Sequence, residues 1–310
     1  MTDDYPFMKN IIYKGIVIDA GDELIPSIMV HPFKSDYLLT SEGDINKAKK
    51  YLDSRFGSYC IFKKGRAALY AALSSYNLKD DDLVTILTTS NNFYISKCVT
   101  KEIDKICQWN REVTDKTKVI IFNHEFGFPC RNLKEVSGYG LPIIEDCAHT
   151  FYDTDPEIGK YSDFVVYSLP KAFPMQMGGI LKTNKHIDVT VSPDVESYVL
   201  NNLSKHVDKI EEYIEKRRYN FSYLSEQLVG IGIQPYFNDG KAIPGTYLFK
   251  WNERIDYPKL KEFMYLNGVE CSVFYGKNAF FIPVHQEVKQ VELDYMVNLL
   301  QYYYKYGYEV

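Results

Sequence analysis

The sequence predicts an α/β protein: a large domain on a mostly parallel sheet, then a smaller α+β domain at the C-terminus. Three observations carry this. Short apolar runs of strand character alternate with segments whose apolar residues recur at helical spacing. Polar residues able to do chemistry come repeatedly just after an apolar run, at the carboxyl end of the strand, where open α/β sheets bind ligands. From Val195 the pattern changes to a long helical stretch and then to a small mixed set.

Taken in order, Gly15-Asp19 and Ile25-Val30 read as short strands in an otherwise irregular beginning. Gly43-Phe56 reads as a helix, with Ile45, Ala48, Leu52 and Phe56 on one face. Ser58-Phe62 is a strand that runs through Lys63-Lys64-Gly65-Arg66 into a helix reaching Tyr76. Leu83-Leu87 is a buried-type strand, followed by the polar turn Thr88-Asn92 leading into Phe93-Val99. Lys118-Phe122 is a strand, and Asn123-Gly127 a polar loop. Leu133-Gly138 is a short helix or loop. Pro142-Ile144, Phe164-Tyr167 and Gly179-Thr183 complete the strands of the first domain.

Val195-Leu228 reads as one long helix and Ile231-Gly240 as a break. Gly245-Trp251, a helix Tyr257-Asn267, Ser272-Tyr275 and a helix Leu293-Tyr304 form the second domain. The division falls near 200, giving domains 1–200 and 201–310, with the role of 1–56 left open. No Gly-, Ser- or Pro-rich linker marks the boundary.

Composition narrows the function classes. The 310 residues carry 36 basic and 41 acidic side chains, a formal net charge of -5, which disfavours a nucleic-acid groove. No apolar run reaches membrane-spanning length, and the acidic N-terminus lacks a secretory apolar region, so a cytoplasmic location is expected. The six cysteines are irregularly spaced without a CxxC pair, as expected of reduced thiols rather than a zinc site. HExxH, GxSxG, GxGxxG and the P-loop pattern are all absent, and no metal is expected. The 27 tyrosines suit half-wet surfaces without specifying chemistry.

Four segments can carry chemistry. In Ile143-Ile144-Glu145-Asp146-Cys147-Ala148-His149 an apolar strand delivers a carboxylate and an imidazole three residues apart. A buried Asp146 needs a cation or strong donors; alternatively it caps a helix and His149 is merely polar. In Asp163-Phe164-Val165-Val166-Tyr167-Ser168-Leu169-Pro170-Lys171 a strand ends in a serine with a lysine three residues on, and Gly178-Gly179 follow. Partial burial would make Lys171 a nucleophilic amine; alternatively it is a solvated loop lysine. Lys64-Gly65-Arg66-Ala67 places amides at a helix start, suited to a phosphate or simply to a turn. In Asn123-His124-Glu125-Phe126-Gly127, His124 is open to catalysis, metal binding or a plain loop role.

Together and in this order, the glycine turn, the H-x-F-G loop, the E-D-C-A-H strand end and S-x-x-K with its glycine pair resemble the DegT-type family of pyridoxal 5'-phosphate (PLP) sugar aminotransferases. The resemblance runs from Lys64 to Leu181. It continues weakly through Lys216-Arg217-Arg218-Tyr219-Asn220 and the P-x-H-like Phe280-Phe281-Ile282-Pro283-Val284-His285. It implies the type I PLP-dependent transferase fold, with Lys171 as the catalytic amine bonded to the cofactor. Asp146 would pair with the pyridine nitrogen and His149 would contact the phenolic oxygen. Ser168, Gly65 and Arg66 would bind the phosphate, and Phe93, with Tyr94 as the alternative, would stack on the ring. His124 and His285 are expected near substrate.

The implied activity is transamination, from glutamate as donor to a nucleotide-linked keto-sugar, in surface polysaccharide or antibiotic sugar synthesis. The implied partners are the nucleotide sugar, the amino-acid donor and a second copy in a homodimer, with no nucleic acid and no membrane. The family's G-x-N-x-R segment is not found; the region reads Val191-Ser192-Pro193-Asp194-Val195. That keeps open a degenerate member that binds a sugar nucleotide or partner without turnover. A PLP-dependent sugar dehydratase is the third reading, opposed by Lys171, since that variant carries histidine there.

Overall fold

Near-continuous apolar strands such as Val-Ile-Ile-Phe at 119–122 need cover on both faces, which dictates helices above and below a parallel sheet. The computed structural model describes residues 10–13, 16–19, 27–32, 42–131, 133–251 and 254–307, the first two segments as backbone only. The readings at Gly15, Ile25-Pro26 and the last residues from Tyr308 lie outside the described residues.

The described elements, in chain order, begin with β1 (Asn10–Tyr13) and β2 (Ile16–Asp19), then α1 (Ile45–Phe56), β3 (Tyr59–Phe62), α2 (Gly65–Ser74), β4 (Leu83–Thr88), α3 (Lys97–Ile103), β5 (Gln108–Asn110) and β6 (Thr117–Asn123). Next come α4 (Leu133–Ser137), β7 (Ile143–Asp146), β8 (Phe164–Ser168), α5 (Leu169–Ala172), β9 (Gly179–Thr183), α6 (Pro193–Leu203) and α7 (Ile210–Leu228). The last are β10 (Ile233–Pro235), β11 (Tyr247–Trp251), α8 (Tyr257–Leu266), β12 (Ser272–Phe274), β13 (Ala279–Ile282) and α9 (Gln290–Tyr306).

The chain divides into two compact units, 33–212 with 241–243, and 1–32 with 213–240 and 244–310. These limits differ from a single cut at 200 in the placement of 1–32, of 201–212 and of 241–243. The first unit is built on a seven-stranded sheet in the order β3-β9-β8-β7-β6-β4-β5. Strands β5, β4, β6, β7 and β8 are mutually parallel, and β9 runs antiparallel to both β8 and β3. The expected mostly parallel sheet is therefore present, with one reversed strand.

Alternate residues point to opposite faces. Val84, Ile86, Val119, Ile121, Ile144, Phe164 and Val166 pack with Ala68, Leu69, Ala72 and Leu73 of α2 and with Val99 and Ile103 of α3. Their neighbours Ile120, Phe122, Ile143 and Val165 are buried on the other face. Helix α1 starts later than read, at Ile45 rather than Gly43, because the Asp44 carboxylate accepts from the Lys47 amide (3.1 Å) and fixes the N-cap.

The long helix read over Val195-Leu228 is broken. Asn201 and Asn202 turn their side-chain amides back onto the Ser197 and Tyr198 carbonyls, and the Ser204 hydroxyl donates to the Asn201 carbonyl. These local bonds compete with helix continuation. A 3-10 turn at Val207–Lys209 then precedes α7. The short edge strand β5, absent from the sequence reading, pairs only its three residues with β4.

The second unit holds an antiparallel sheet in the order β10-β11-β13-β12. Its core joins Tyr247, Phe249, Phe280 and Ile282 to Leu224 and Leu228 of α7, Leu260 and Met264 of α8, and Met296 and Leu300 of α9. Among the described residues no helix is long and apolar enough to cross a membrane.

The start of β9 presses on the β3–α2 turn. A Cβ on Gly179 would lie 2.5 Å from the Lys64 carbonyl carbon, a clash with backbone. Gly179→Ala should therefore cost about 1–3 kcal/mol in urea unfolding; an unchanged midpoint would show that the turn yields freely. A pH effect follows from His206, which is buried against Phe173 (ring centroids 5.8 Å). Burial, helped by Lys209 and Lys205, lowers its pKa to about 4. The folded value lies below the ordinary one, so this contribution is present above about 6.5 and lost as pH falls toward 4. Unfolding free energy should drop across that window, and less steeply in His206→Gln; parallel curves would refute the assignment.

Candidate active site

Because β4, β6, β7 and β8 are parallel, their last residues share one edge of the sheet. The register sets Asn123 beside Asp146 across β6 and β7, and Ser168 beside Gly179 across β8 and β9. The reversed β9 thus begins where its neighbours end.

Lys171 sits on the single-turn helix α5, whose second residue, Pro170, has a fixed φ that suits a first helical turn. Both ends of α5 are pinned. The Leu169 amide donates to Gly178 O (3.0 Å), and the Tyr152 hydroxyl donates to the Ala172 carbonyl (2.5 Å). The Lys171 Nζ then lies 2.8 Å from His149 Nε2. His149 follows β7 closely, so strand, turn and helix converge on this contact.

Asp146 is buried at the end of β7. Its Oδ1 accepts from the Ala148 amide (3.1 Å), and its Oδ2 faces Asn123 Nδ2 at 3.4 Å. Burial raises its pKa, opposed by the Lys171 ammonium, the Ala148 N–H and His124. Burial lowers the pKa of Lys171, opposed by Asp146 and Cys98. Each group is thus pushed toward neutrality despite the other. The carboxylate would gain from a further cation, and the amine is shifted toward the free base that acts as a nucleophile.

Gly65 opens α2 against the end of β8; a Cβ there would stand 3.2 Å from Ser168 Cβ. Lys64 at the N-cap gives no side-chain hydrogen bond, so no side-chain oxygen closes the first turn of this ten-residue helix. Arg66 is exposed on that turn. These groups fit PLP: an amine, a buried carboxylate lacking sufficient counter-charge, and an uncapped helix start beside a hydroxyl match its aldehyde, ring nitrogen and phosphate.

The structure therefore brings together Lys171, His149 and Asp146, and separately Gly65 with Ser168, on one sheet edge. Phe93 is 79% exposed and makes no ring contact among the described residues. Phe126 lies against His149, with ring centroids 6.0 Å and planes 38° apart.

His124 is corrected as a substrate contact. It is 1% exposed, its Nδ1 accepts from the Cys130 amide (2.9 Å), and its Nε2 faces Glu145 Oε2 (3.1 Å). With Nδ1 accepting, the proton resides on Nε2 and is donated to Glu145. The other Glu145 oxygen accepts from the Gly159 amide (2.8 Å). His124, Glu145 and Cys147 bring ligand atoms within 4.8 Å of one another, but hydrogen bonds already engage the first two. His285 belongs to the second unit. Its Nε2 donates to Met29 O (2.8 Å) and its Nδ1 accepts from the Glu287 amide (3.2 Å), so both ring nitrogens serve the fold.

Sequence reasoning missed Asn123, Glu145 and Phe126 as parts of the site. All three lie in segments singled out for chemistry, and the only signal available was their place at the ends of β6 and β7.

The sequence model of the DegT/DnrJ/EryC1/StrS aminotransferase family matches residues 58–187. No curated protein sequence matches the chain. Solved structures similar to it include the aminotransferase TlmJ from Streptoalloteichus hindustanus, 13% identical, with a TM-score of 0.68 over 86% of this chain and 92% of that one. NtdA from Bacillus subtilis with bound cofactor PMP is 14% identical, with a TM-score of 0.68 over 88% and 83%. The sugar aminotransferase CalS13 from Micromonospora echinospora is 16% identical, with a TM-score of 0.63 over 90% and 98%. The fold is that of type I PLP aminotransferase structures.

The His124–Glu145 bond makes a prediction that separates structure from substrate contact. His124→Phe strands a buried carboxylate oxygen and the Cys130 amide, and should cost about 1–3 kcal/mol in urea unfolding. Full stability with lost activity would return His124 to the substrate.

Proposed function

From the match of residues 58–187 to the model of the DegT/DnrJ/EryC1/StrS aminotransferase family, we propose that this chain is a PLP-dependent aminotransferase of that family. We take its acceptor to be a nucleotide-linked keto-sugar and its amino donor to be glutamate, for surface polysaccharide or antibiotic sugar synthesis. The observation that carries the reading is the Lys171 amine, 2.8 Å from His149 Nε2 and within electrostatic reach of buried Asp146.

PLP, when bound, supplies an electrophilic aldehyde carbon and a ring that accepts electrons from the substrate's Cα. Lys171 would hold the cofactor through Nζ, and as a free amine it would move a proton between two substrate and cofactor carbons. A half-buried amine with a lowered pKa suits both tasks, because burial shifts it toward the free base. Asp146 holds the ring nitrogen in its protonated form, and the Ala148 amide and Asn123 keep the carboxylate aimed. His149 orients Nζ. The Gly65 and Arg66 amides and the Ser168 hydroxyl bind the phosphate. Phe93 would supply the aromatic side chain that stacks on the cofactor ring, and Phe126 lies against His149. A second copy completing the site as a homodimer, and a cytoplasmic location, belong to the same proposal.

Purified chain given PLP should develop a visible absorbance band that glutamate discharges. Borohydride should fix the cofactor to Lys171; a peptide map placing it on another lysine ends the proposal. Asp146→Asn should lower kcat/KM by about 100-fold or more, and an unchanged value would mean that another group holds the ring nitrogen.

A further inference from the structure

We propose that Phe126 is a positioning residue for Lys171, acting through the His149 ring. Three observations carry this. The first is the backbone. Phe126 has φ 56°, in the left-handed region that a bulky side chain enters at a cost, and Gly127 follows at φ 91°. The turn itself does not call for phenylalanine; asparagine or glycine would make it without strain.

The second is the way the turn is held. The Phe128 amide donates to Glu125 O (2.8 Å), and the Thr89 hydroxyl donates to Phe128 O (3.0 Å). The Ser90 amide donates to Glu125 Oε2 (2.7 Å). On one side His124 is locked to Glu145, and on the other the Cys130 amide is locked to His124. A strained residue persists when its surroundings over-determine it, and such residues cluster at working sites.

The third is where the ring goes. Its centroid lies 6.0 Å from that of His149, inside the range of favourable aromatic pairs, and His149 Nε2 lies 2.8 Å from Lys171 Nζ. The strained turn thus delivers an aromatic face to the imidazole that meets the amine. The ammonium has donors only, so His149 accepts from it, and a ring held at the right tilt stabilises the charged lysine. Among the described residues, Asp146 on β7 and Cys98 on α3 also act on Lys171, and the proposed variants leave both in place.

This inference rests on the proposed role of Lys171, but its test uses the chain without cofactor. Trace acetic anhydride labelling across pH, read on the Lys171 peptide by mass spectrometry, gives the midpoint at which the free amine appears. Phe126→Asn keeps the turn and removes the ring; it should lower that midpoint by about 0.5 or more. His149→Phe should lower it likewise, and both changes together should move it no further than His149→Phe alone. Phe126→Tyr should restore the wild-type midpoint.

A wild-type midpoint in Phe126→Asn, or full additivity with His149→Phe, overturns the inference. Phe126→Gly serves as the second variant, and loss of folding in both would make the ring a requirement of the fold and equally overturn it. Failure of the PLP reading appears elsewhere, as no borohydride-fixed cofactor on wild-type Lys171, and leaves the labelling comparison intact.

Discussion

An amine and a carboxylate are held out of water at one sheet edge, each short of the charge it needs. Asp146 is buried with the Ala148 amide, Asn123 and the charge of Lys171 as compensation, and burial still wins. Lys171 is drawn toward its neutral form by the same desolvation. Such a pair contributes little to stability by itself, since taking both charges out of water offsets their attraction. It becomes useful when a third group with a cationic nitrogen and an aldehyde lies between the two functions. The surrounding structure keeps this unfavourable arrangement in place.

Three supports do so. Parallel β6 and β7 fix Asn123 and Asp146 side by side through their register. The reversed strand β9 begins beside Ser168 and presses its glycine on the β3–α2 turn, so the helix start and the hydroxyl are set by backbone contact rather than by flexible side chains. Helix α5 is one turn long, yet bonds to Gly178 and from Tyr152 hold both its ends, which gives Lys171 a fixed root.

The buried His124–Glu145 bond works below this layer. Glu145 and Asp146 are consecutive on β7, so their side chains leave the strand in opposite directions. Glu145 ties the Gly159 amide and the His124 ring into the interior, while Asp146 turns toward Lys171. The loop that carries Phe126 is anchored through His124, and the interior bond and the left-handed turn are parts of one device. Two adjacent acids are thereby placed differently, one internal and hydrogen-bonded through both oxygens, the other turned toward Lys171.

Much of this was determined by the sequence alone. Apolar runs ending in Asp146, Ser168 and Asn123, with Lys171, His149 and Gly65 at short fixed offsets, place chemistry on a sheet edge, because a strand's end and the turn after it are local properties. The resemblance that joined these segments follows their order along the chain, which the chain itself preserves. Only the tertiary structure decided which ring lies against His149, because the tilt of Phe126 depends on loops meeting from β6 and β7. It also turned His124 and His285 inward, since a histidine in a polar loop is chemically the same whether its ring nitrogens meet solvent or a buried carboxylate and a carbonyl. The break after α6 and the reversal of β9 likewise rest on side-chain and strand partners that no hydrophobic spacing records.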